Sequence, residues 1–175
     1  MHSPAASGSE AATLLSPPAQ RGEMPKAEGG LPRRKGPDMA NRPQPSFPEP
    51  DTQHFWDGCK EGELRYQTDP DGNVVFYPRG HSTVTGDREL SWNVSSGLGT
   101  VYTYSVVRQN RMPGFQELGA YAVAYIDLDE GFRMMSTIVG VSDPTTDIHI
   151  GQRVMVEFEE QAGDDAYPIP VFRPV

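Results

Sequence analysis

Two side chains have the chemistry of a catalytic nucleophile. Cys59 is the single cysteine, and Ser82 lies in the segment 80–84, Gly-His-Ser-Thr-Val. A reactive thiol needs a nearby histidine or a helix N-terminus to lower its pKa, whereas Cys59 is predicted to pack one helical turn from Phe55. The segment around Ser82 departs from the Gly-x-Ser-x-Gly nucleophile elbow at its last position, where Val84 stands. Structural roles are therefore favoured for both side chains.

Side chains that could bind metals are scattered along the chain. The four histidines form no pair at the spacing of ligands on one helix face, and one cysteine cannot build a multi-cysteine zinc site. Three carboxylates cluster at a predicted hairpin turn, but a Ca²⁺ site needs more oxygen ligands, so a solvated turn is favoured. The residues concerned are His2, His54, His81 and His149, and Asp127, Asp129 and Glu130.

The charge argues against a protein whose main task is to grip nucleic-acid phosphates. The 175 residues carry a net charge of −9, and residues 51–175 hold 9 basic and 19 acidic side chains. No apolar run reaches the roughly 18 residues of a transmembrane helix, and the N-terminus lacks the apolar segment of a secretory signal. We expect a soluble cytoplasmic protein without membrane contact.

Residues 1–50 differ in composition from the rest of the chain. They hold 10 of the 17 prolines and one of the 16 aromatic residues. Such a segment buries too little apolar area to offset the entropy of ordering it, so we predict a disordered, dispensable tail over 1–50. Its basic cluster, Arg33-Arg34-Lys35, is predicted to be a solvated linker rather than a contact for a polyanion.

Residues 51–94 predict a short helix followed by a small β element. Asp51 or Thr52 can cap a helix over 51–63, which Gly62 brings to its end. Segments 64–67, 74–77 and 90–94 have strand composition. Residues 69–73, Asp-Pro-Asp-Gly-Asn, form a strong turn signal because proline fixes φ and glycine accepts a positive φ.

Residues 95–175 predict a small β-barrel. Five strand-like segments occur at 100–108, 121–128, 132–139, 153–159 and 171–173. Five strands with one long connection suit a Greek-key barrel such as the OB-fold. The predicted core comprises Val101 or Tyr102, Val123, Ile126, Ile138, Val154, Val156 and Phe158.

Four tyrosines of this barrel could stack nucleic-acid bases, as aromatic side chains of OB-folds do. They are Tyr102, Tyr104, Tyr121 and Tyr125. Base stacking normally accompanies a basic groove, whereas this barrel is acidic. We therefore interpret them first as core and rim residues, and nucleic-acid binding stays the alternative.

Five short segments, in this order and spacing, resemble a known family. They are Phe55-Trp56, Phe76-Tyr77-Pro78-Arg79, Leu90-Ser91-Trp92, residues 96–102 (Ser-Gly-Leu-Gly-Thr-Val-Tyr) and residues 170–174 (Pro-Val-Phe-Arg-Pro). The resemblance covers residues 42–175. The family is bacterial and archaeal, fuses a rubredoxin-like zinc ribbon to an OB-fold, and was long catalogued as a domain of unknown function associated with acyl-CoA enzymes.

The zinc ligands of that family are absent from this chain. The family's two Cys-x-x-Cys-Gly knuckles fall on Thr68 and Asp71 and on Ser82 and Thr85. Hydroxyls and one carboxylate cannot replace four tetrahedral thiolates. The expected fold is therefore mainly β: a short helix at 51–63, a degenerate, metal-free zinc ribbon at 64–94, and a five-stranded OB-fold barrel at 95–175.

The resemblance implies a non-catalytic accessory subunit that needs no cofactor. The implied partners are thiolase-like proteins and lipid-transfer-type aldolases that shorten CoA-linked steroid side chains, and the implied ligand is an acyl-CoA. A self-sufficient thioester enzyme is a further alternative, which the lack of a paired nucleophile and base opposes. The residues we expect to contact the partner or the acyl-CoA are Phe55, Trp56, Tyr77, Pro78, Arg79, Phe172 and Arg173.

Overall fold

The computed structural model describes residues 30–35, 42–46 and 50–175. This part of the chain contains one α-helix, a short 3₁₀ helix at Gln116–Leu118 and nine strands, so the mainly β fold is confirmed. The elements are β1 (Arg33–Lys35), α1 (Pro50–Glu61), β2 (Arg65–Thr68), β3 (Val74–Val75), β4 (Ser91–Val94), β5 (Leu98–Val107), β6 (Tyr121–Leu128), β7 (Arg133–Ile138), β8 (Arg153–Glu160) and β9 (Ile169–Pro174).

Helix α1 ends where the sequence predicts a break. Gly62, the next residue, has a φ of +76°, a conformation that glycine adopts without steric cost. The acidic Asp51 lies in the first turn and Lys60 in the last, as the helix dipole favours. The helix buries Phe55 and Cys59 against the core.

The small sheet has the strand order β3-β2-β4 and is antiparallel. We call residues 64–94 the ribbon element. The ring of Tyr66 on β2 stacks on Phe132 of the barrel, with ring centroids 5.1 Å apart. The backbone N–H of Ser95 donates to the carbonyl oxygen of Leu64 at 2.8 Å, so the ribbon element is tied directly to the start of the barrel.

Strands β5 to β9 form a closed five-stranded barrel, which confirms the predicted OB-fold. The order is β8-β5-β6-β7-β9, and pairing of β8 with β9 closes it. Every pair is antiparallel except β7 with β9, which meet at the single position Ile138–Phe172.

Two glycines at the start of β5 allow it to pack closely. A Cβ atom at Gly97, where φ is +76°, would lie 2.4 Å from Cγ1 of Val156. A Cβ at Gly99 would lie 2.7 Å from the carbonyl oxygen of Asp127. The two glycines therefore let β5 pack closely against its neighbouring strands. A larger residue at either position would push those strands apart.

The core matches the predicted one except at one position. Ile126, Ile138, Val154, Val156 and Phe158 are buried, as predicted, and Val101 rather than Tyr102 is the buried member of its pair. Val123 is only partly buried, because β6 points Ala122, Ala124, Ile126 and Leu128 inward. The prediction placed Val123 on the wrong face of a nearly all-apolar strand.

The prediction of a disordered tail over 1–50 does not hold for the two segments of it that the structure describes. Strand β1 pairs in parallel with β8, opposite Phe158, Glu159 and Glu160. The backbone N–H of Leu31 donates to the carbonyl oxygen of Gly62, and Arg42 is buried beside Glu159. Arg33-Arg34-Lys35 is thus a strand rather than a solvated linker, because Glu160 and Glu159 of β8 pair with Arg33 and Arg34. The remaining residues up to 49 lie outside the described part.

Among the described residues, no helix is long and apolar enough to cross a membrane.

A candidate binding cleft beside the barrel

A cleft of 280 Å³ lies between α1, the loop after β3, and strands β7 and β9. Its strand residues precede the single paired position of β7 with β9, Ile138–Phe172. The lining is mostly apolar and comes from four parts of the chain. The lining residues are Thr52, Phe55, Trp56, Tyr77, Pro78, Met134, Met135, Ser136, Thr137, Ile169 and Pro170. Four of the predicted site residues are therefore brought together.

Helix α1 supplies the aromatic wall. Phe55 is buried and contacts Trp56 edge to face, with centroids 5.2 Å apart, and Phe76 at 6.0 Å. Trp56 is half-buried and packs edge to face with Tyr167 at 6.1 Å. Such edge contacts suit the quadrupoles of the rings and hold both side chains in place.

The loop 76–79 forms the opposite wall and is fixed to both sheets. The Tyr77 hydroxyl accepts a hydrogen bond of 2.9 Å from the backbone N–H of Met135 on β7. The backbone N–H of Arg79 donates to Oε1 of Gln67 on β2, also at 2.9 Å. Pro78 is buried, whereas the Arg79 side chain is exposed and does not line the cleft. The loop therefore presents Tyr77 to the cleft and Arg79 to solvent.

The two predicted site residues on β9 lie elsewhere. Phe172 is fully buried in the barrel core, so its prediction as a contact residue is wrong: its side chain presents no surface to a ligand. Arg173 is exposed, and its guanidinium binds Glu157 through Nε–Oε1 at 2.9 Å and Nη2–Oε2 at 3.2 Å. Neither residue lines the cleft.

All six strand residues that line the cleft were missed by the sequence reasoning. Met135 is exposed beside the cleft, and Ile169 and Pro170 complete its floor. The alternation of β7 does put Met134 inward and Met135 outward, so Met135 could have been found. The contact of β7 with β9 could not have been predicted, because it is a parallel contact between distant parts of the chain.

A carboxylate joins the two turns of the ribbon element in which the family resemblance puts the zinc knuckles. Buried Asp69 accepts hydrogen bonds from the hydroxyls of Ser82 and Thr85, at 2.8 and 3.1 Å. Asn73 donates to it through its backbone N–H at 2.8 Å and its amide at 3.0 and 3.1 Å. These bonds, with that from Asn73 foremost, lower the Asp69 pKa to about 2.

Only two of the four positions that hold the family's zinc ligands meet at Asp69. Ser82 and Thr85 bind it, whereas the Thr68 hydroxyl accepts a bond from the Asn93 amide at 3.0 Å and Asp71 is exposed in the turn. The sequence signalled Asp69 only as a turn residue. No group of three or more histidine, cysteine or carboxylate side chains placed to hold a metal occurs in the described part of the chain.

The two candidate nucleophiles are held in structural positions. Cys59 is fully buried, and burial raises the pKa of its thiol to about 12, with a smaller opposing influence from Arg65. A thiol with that pKa is almost never a thiolate at neutral pH. The Ser82 hydroxyl donates to Asp69 and accepts from the backbone N–H groups of Val84 and Thr85.

Comparison with known proteins identifies several relatives of this chain. Residues 92–159 match the family model of the C-terminal OB-fold domain of ChsH2. The 3-oxo-4,17-pregnadiene-20-carboxyl-CoA hydratase alpha subunit of Mycobacterium tuberculosis is 36% identical over 124 residues, which are 70% of this chain and 37% of that protein. A DUF35 domain-containing scaffold protein of Methanocaldococcus jannaschii is 39% identical over 72 residues, 40% of this chain and 49% of that one.

A solved structure covers more of the chain. The match is to a chain of the Ltp2-ChsH2(DUF35) aldolase, with a TM-score of 0.64 and 26% identity over 75% of this chain and 98% of that chain. By contrast, this chain spans less than half the length of the two curated relatives named above.

Proposed function

We propose that this chain, whose barrel belongs to the family of the ChsH2 C-terminal OB-fold domain, is a non-catalytic accessory subunit of an acyl-CoA enzyme. The similarity to a chain of the Ltp2-ChsH2(DUF35) aldolase, 98% of which is covered, is the observation that carries this proposal. The proposed partner is a thiolase-like protein or a lipid-transfer-type aldolase, and steroid side-chain shortening is one pathway that fits. The buried thiol of Cys59 and the engaged hydroxyl of Ser82 agree with a non-catalytic role.

The cleft supports a role in holding an apolar group. Its 280 Å³ falls just below the roughly 300–1,000 Å³ of pockets that enclose a drug-sized ligand. A complete acyl-CoA is too large for it, whereas part of an acyl chain or an apolar side chain of the partner fits. We assign this contact to Trp56 and Tyr77, whose rings are partly exposed at the cleft.

Arg79 is the proposed polar contact beside the cleft. Its backbone is fixed to Gln67, and its exposed side chain leaves the same loop that carries Tyr77. A guanidinium offers a forked set of donors that suits either a partner carboxylate or a CoA phosphate. The loop would thus pair an apolar contact with a charged one.

The function is tested by co-expressing the chain with a thiolase-like or lipid-transfer-type aldolase subunit from the same genome. We expect the two to co-purify, and we expect the partner's turnover of acyl-CoA substrates to fall when the chain is omitted. The isolated chain should turn over none of these substrates. Turnover by the isolated chain, or a partner that is equally active and soluble alone, would contradict the proposal.

The Arg79 contact is tested by Arg79→Ala, with Arg88→Ala as the matched control, since both arginines are exposed in the ribbon element. One good charged hydrogen bond contributes ~1.5–3 kcal/mol, so Arg79→Ala should weaken the complex or its turnover about tenfold or more. Arg88→Ala should behave as wild type. Equal behaviour of the two variants would make Arg79 an ordinary surface residue.

A further inference from the structure

Three large apolar side chains lie together on the outer face of the barrel. Tyr125 on β6 is paired with Thr103 of β5 on one side and with Met135 of β7 on the other. Paired residues point to the same face of a sheet, so Tyr125 and Met135 lie side by side on the outside of the barrel. Tyr125, Met135 and Tyr102 are between 45% and 52% exposed. We call Tyr102, Tyr125 and Met135, with the adjoining Tyr77, the tyrosine face.

An irregularity in β5 puts Tyr102 on this face. The pairing of β5 with β6 shifts between Val101 and Thr103, which leaves Tyr102 as the extra residue of a bulge. Val101 then points into the core while Tyr102 stays outside. Bulges commonly redirect a side chain at functional sites, and this one adds a second tyrosine beside Tyr125.

Two arginine–aspartate ion pairs border the tyrosine face on one side. Arg133 binds Asp127 through two bonds of 2.6 and 3.0 Å, and its guanidinium carbon lies 3.3 Å from the centroid of the Tyr102 ring. Arg153 binds Asp129 through two bonds of 2.7 Å. Each of these arginines is therefore neutralised by an aspartate, so the two ion pairs offer no uncompensated positive charge to a phosphate.

The face is continuous with the cleft. Met135 belongs to both, and its backbone N–H is the donor to the Tyr77 hydroxyl. Apolar side chains thus extend from Trp56 in the cleft to Tyr102 on the barrel. Contiguous apolar patches of this kind are rare on isolated soluble proteins and mark interaction sites.

From these observations we propose that the tyrosine face docks on the enzyme partner through an uncharged, apolar surface of that protein. The inference rests on the proposed function and adds the surface and its chemistry. Tyrosine, methionine and arginine are enriched in protein interfaces, and a polar rim around an apolar centre is the usual arrangement. The engaged arginines favour this occupant over a nucleic acid or the phosphates of CoA.

The test measures the affinity of the full chain for the thiolase-like or aldolase subunit used in the co-expression experiment, by isothermal titration calorimetry. Tyr125→Ser and Met135→Ser should each weaken binding at least tenfold, and Tyr125→Asp should weaken it further because it buries a charge. Met112→Ser is the matched control, since Met112 is 55% exposed and lies in the loop between β5 and β6. It should bind within twofold of wild type. Far-UV circular dichroism and the melting temperature verify that each variant is folded.

The outcomes separate the two proposals. If the wild-type chain binds no such subunit, the proposed function and this inference both fail. If the wild type binds and the tyrosine-face variants bind equally well, only the inference fails. A dimer of the chain alone that Tyr125→Ser dissociates, seen by analytical ultracentrifugation, would assign the face to a second copy. Salt-dependent binding of single-stranded DNA or RNA that Tyr125→Ser abolishes would assign it to nucleic acid. Either result would overturn the inference.

Discussion

Ion pairs join the N-terminal segment to the end of β8 at two glutamates, of which Glu159 is buried and Glu160 is partly exposed. Arg42 Nη2 lies 2.9 Å from Glu159 Oε1, and these two side chains are 7% and 2% exposed. Arg33 pairs with Glu160, where the two side chains are 42% and 39% exposed. We predict that Arg42→Met destabilises the protein strongly, whereas Arg33→Met has little effect.

The difference follows from the cost of an uncompensated buried charge. Removing one partner of a buried pair typically costs 3–5 kcal/mol. Arg34 Nε remains 3.9 Å from the other oxygen of Glu159 and offsets part of that cost, so we expect about 3 kcal/mol for Arg42→Met. Methionine keeps an apolar stem beside the ring of Phe115, over which the guanidinium of Arg42 lies. An exposed pair contributes about 0–1 kcal/mol.

Urea unfolding followed by tryptophan fluorescence measures these differences as free energies of unfolding. The double variant Arg42→Met/Glu159→Leu should recover most of the loss, because replacing a buried pair by apolar groups is often neutral. Equal small losses for Arg42→Met and Arg33→Met would refute the reasoning and would mean that Glu159 is not held as a buried charge.

Four further predictions concern the ribbon element, the thiol and the N-terminal segment. Because the Asp69 pKa is lowered to about 2 from 3.8, its stabilisation is complete above about pH 4 and is lost as the pH falls through 2. Asp69→Asn should therefore lower the melting temperature by several degrees at pH 6 and by progressively less toward pH 2, and a pH-independent difference would contradict this. The purified protein should hold no structural zinc, and elemental analysis near one zinc per chain or a chelator-induced drop in melting temperature would contradict that. Cys59 should react with a thiol reagent such as DTNB only on unfolding, because burial raises its pKa to about 12; rapid labelling of the native protein would show that the thiol is accessible. Deleting residues 1–38 removes β1 and Leu31, so it should lower the melting temperature; an unchanged value would restore the prediction of a dispensable tail.

The barrel could be predicted because its strands carry local signals. Segment 153–159 alternates, with Val154, Val156 and Phe158 inward, and this pattern alone fixes which face is buried. Segment 121–128 is almost continuously apolar and fixes no face, which is why Val123 was placed inward. The N-terminal strand had no signal of its own: Arg33-Arg34-Lys35 pairs with β8 because Glu159 and Glu160 face it across the sheet, and that is a property of the partner strand.

The candidate site likewise contains some residues that the local sequence identifies and others that only the fold brings together. Phe55, Trp56, Tyr77 and Pro78 lie in two short segments whose aromatic character singles them out, and the structure brings all four to one cleft. Phe172 belongs to a segment of similar character, but strand alternation turns it into the core and leaves Arg173 outside. The tyrosine face needed the bulge at Tyr102 and the register of Tyr125 with Met135, which no local pattern specifies. Sequence therefore identifies candidate contact residues, whereas strand register decides which of them share an accessible surface.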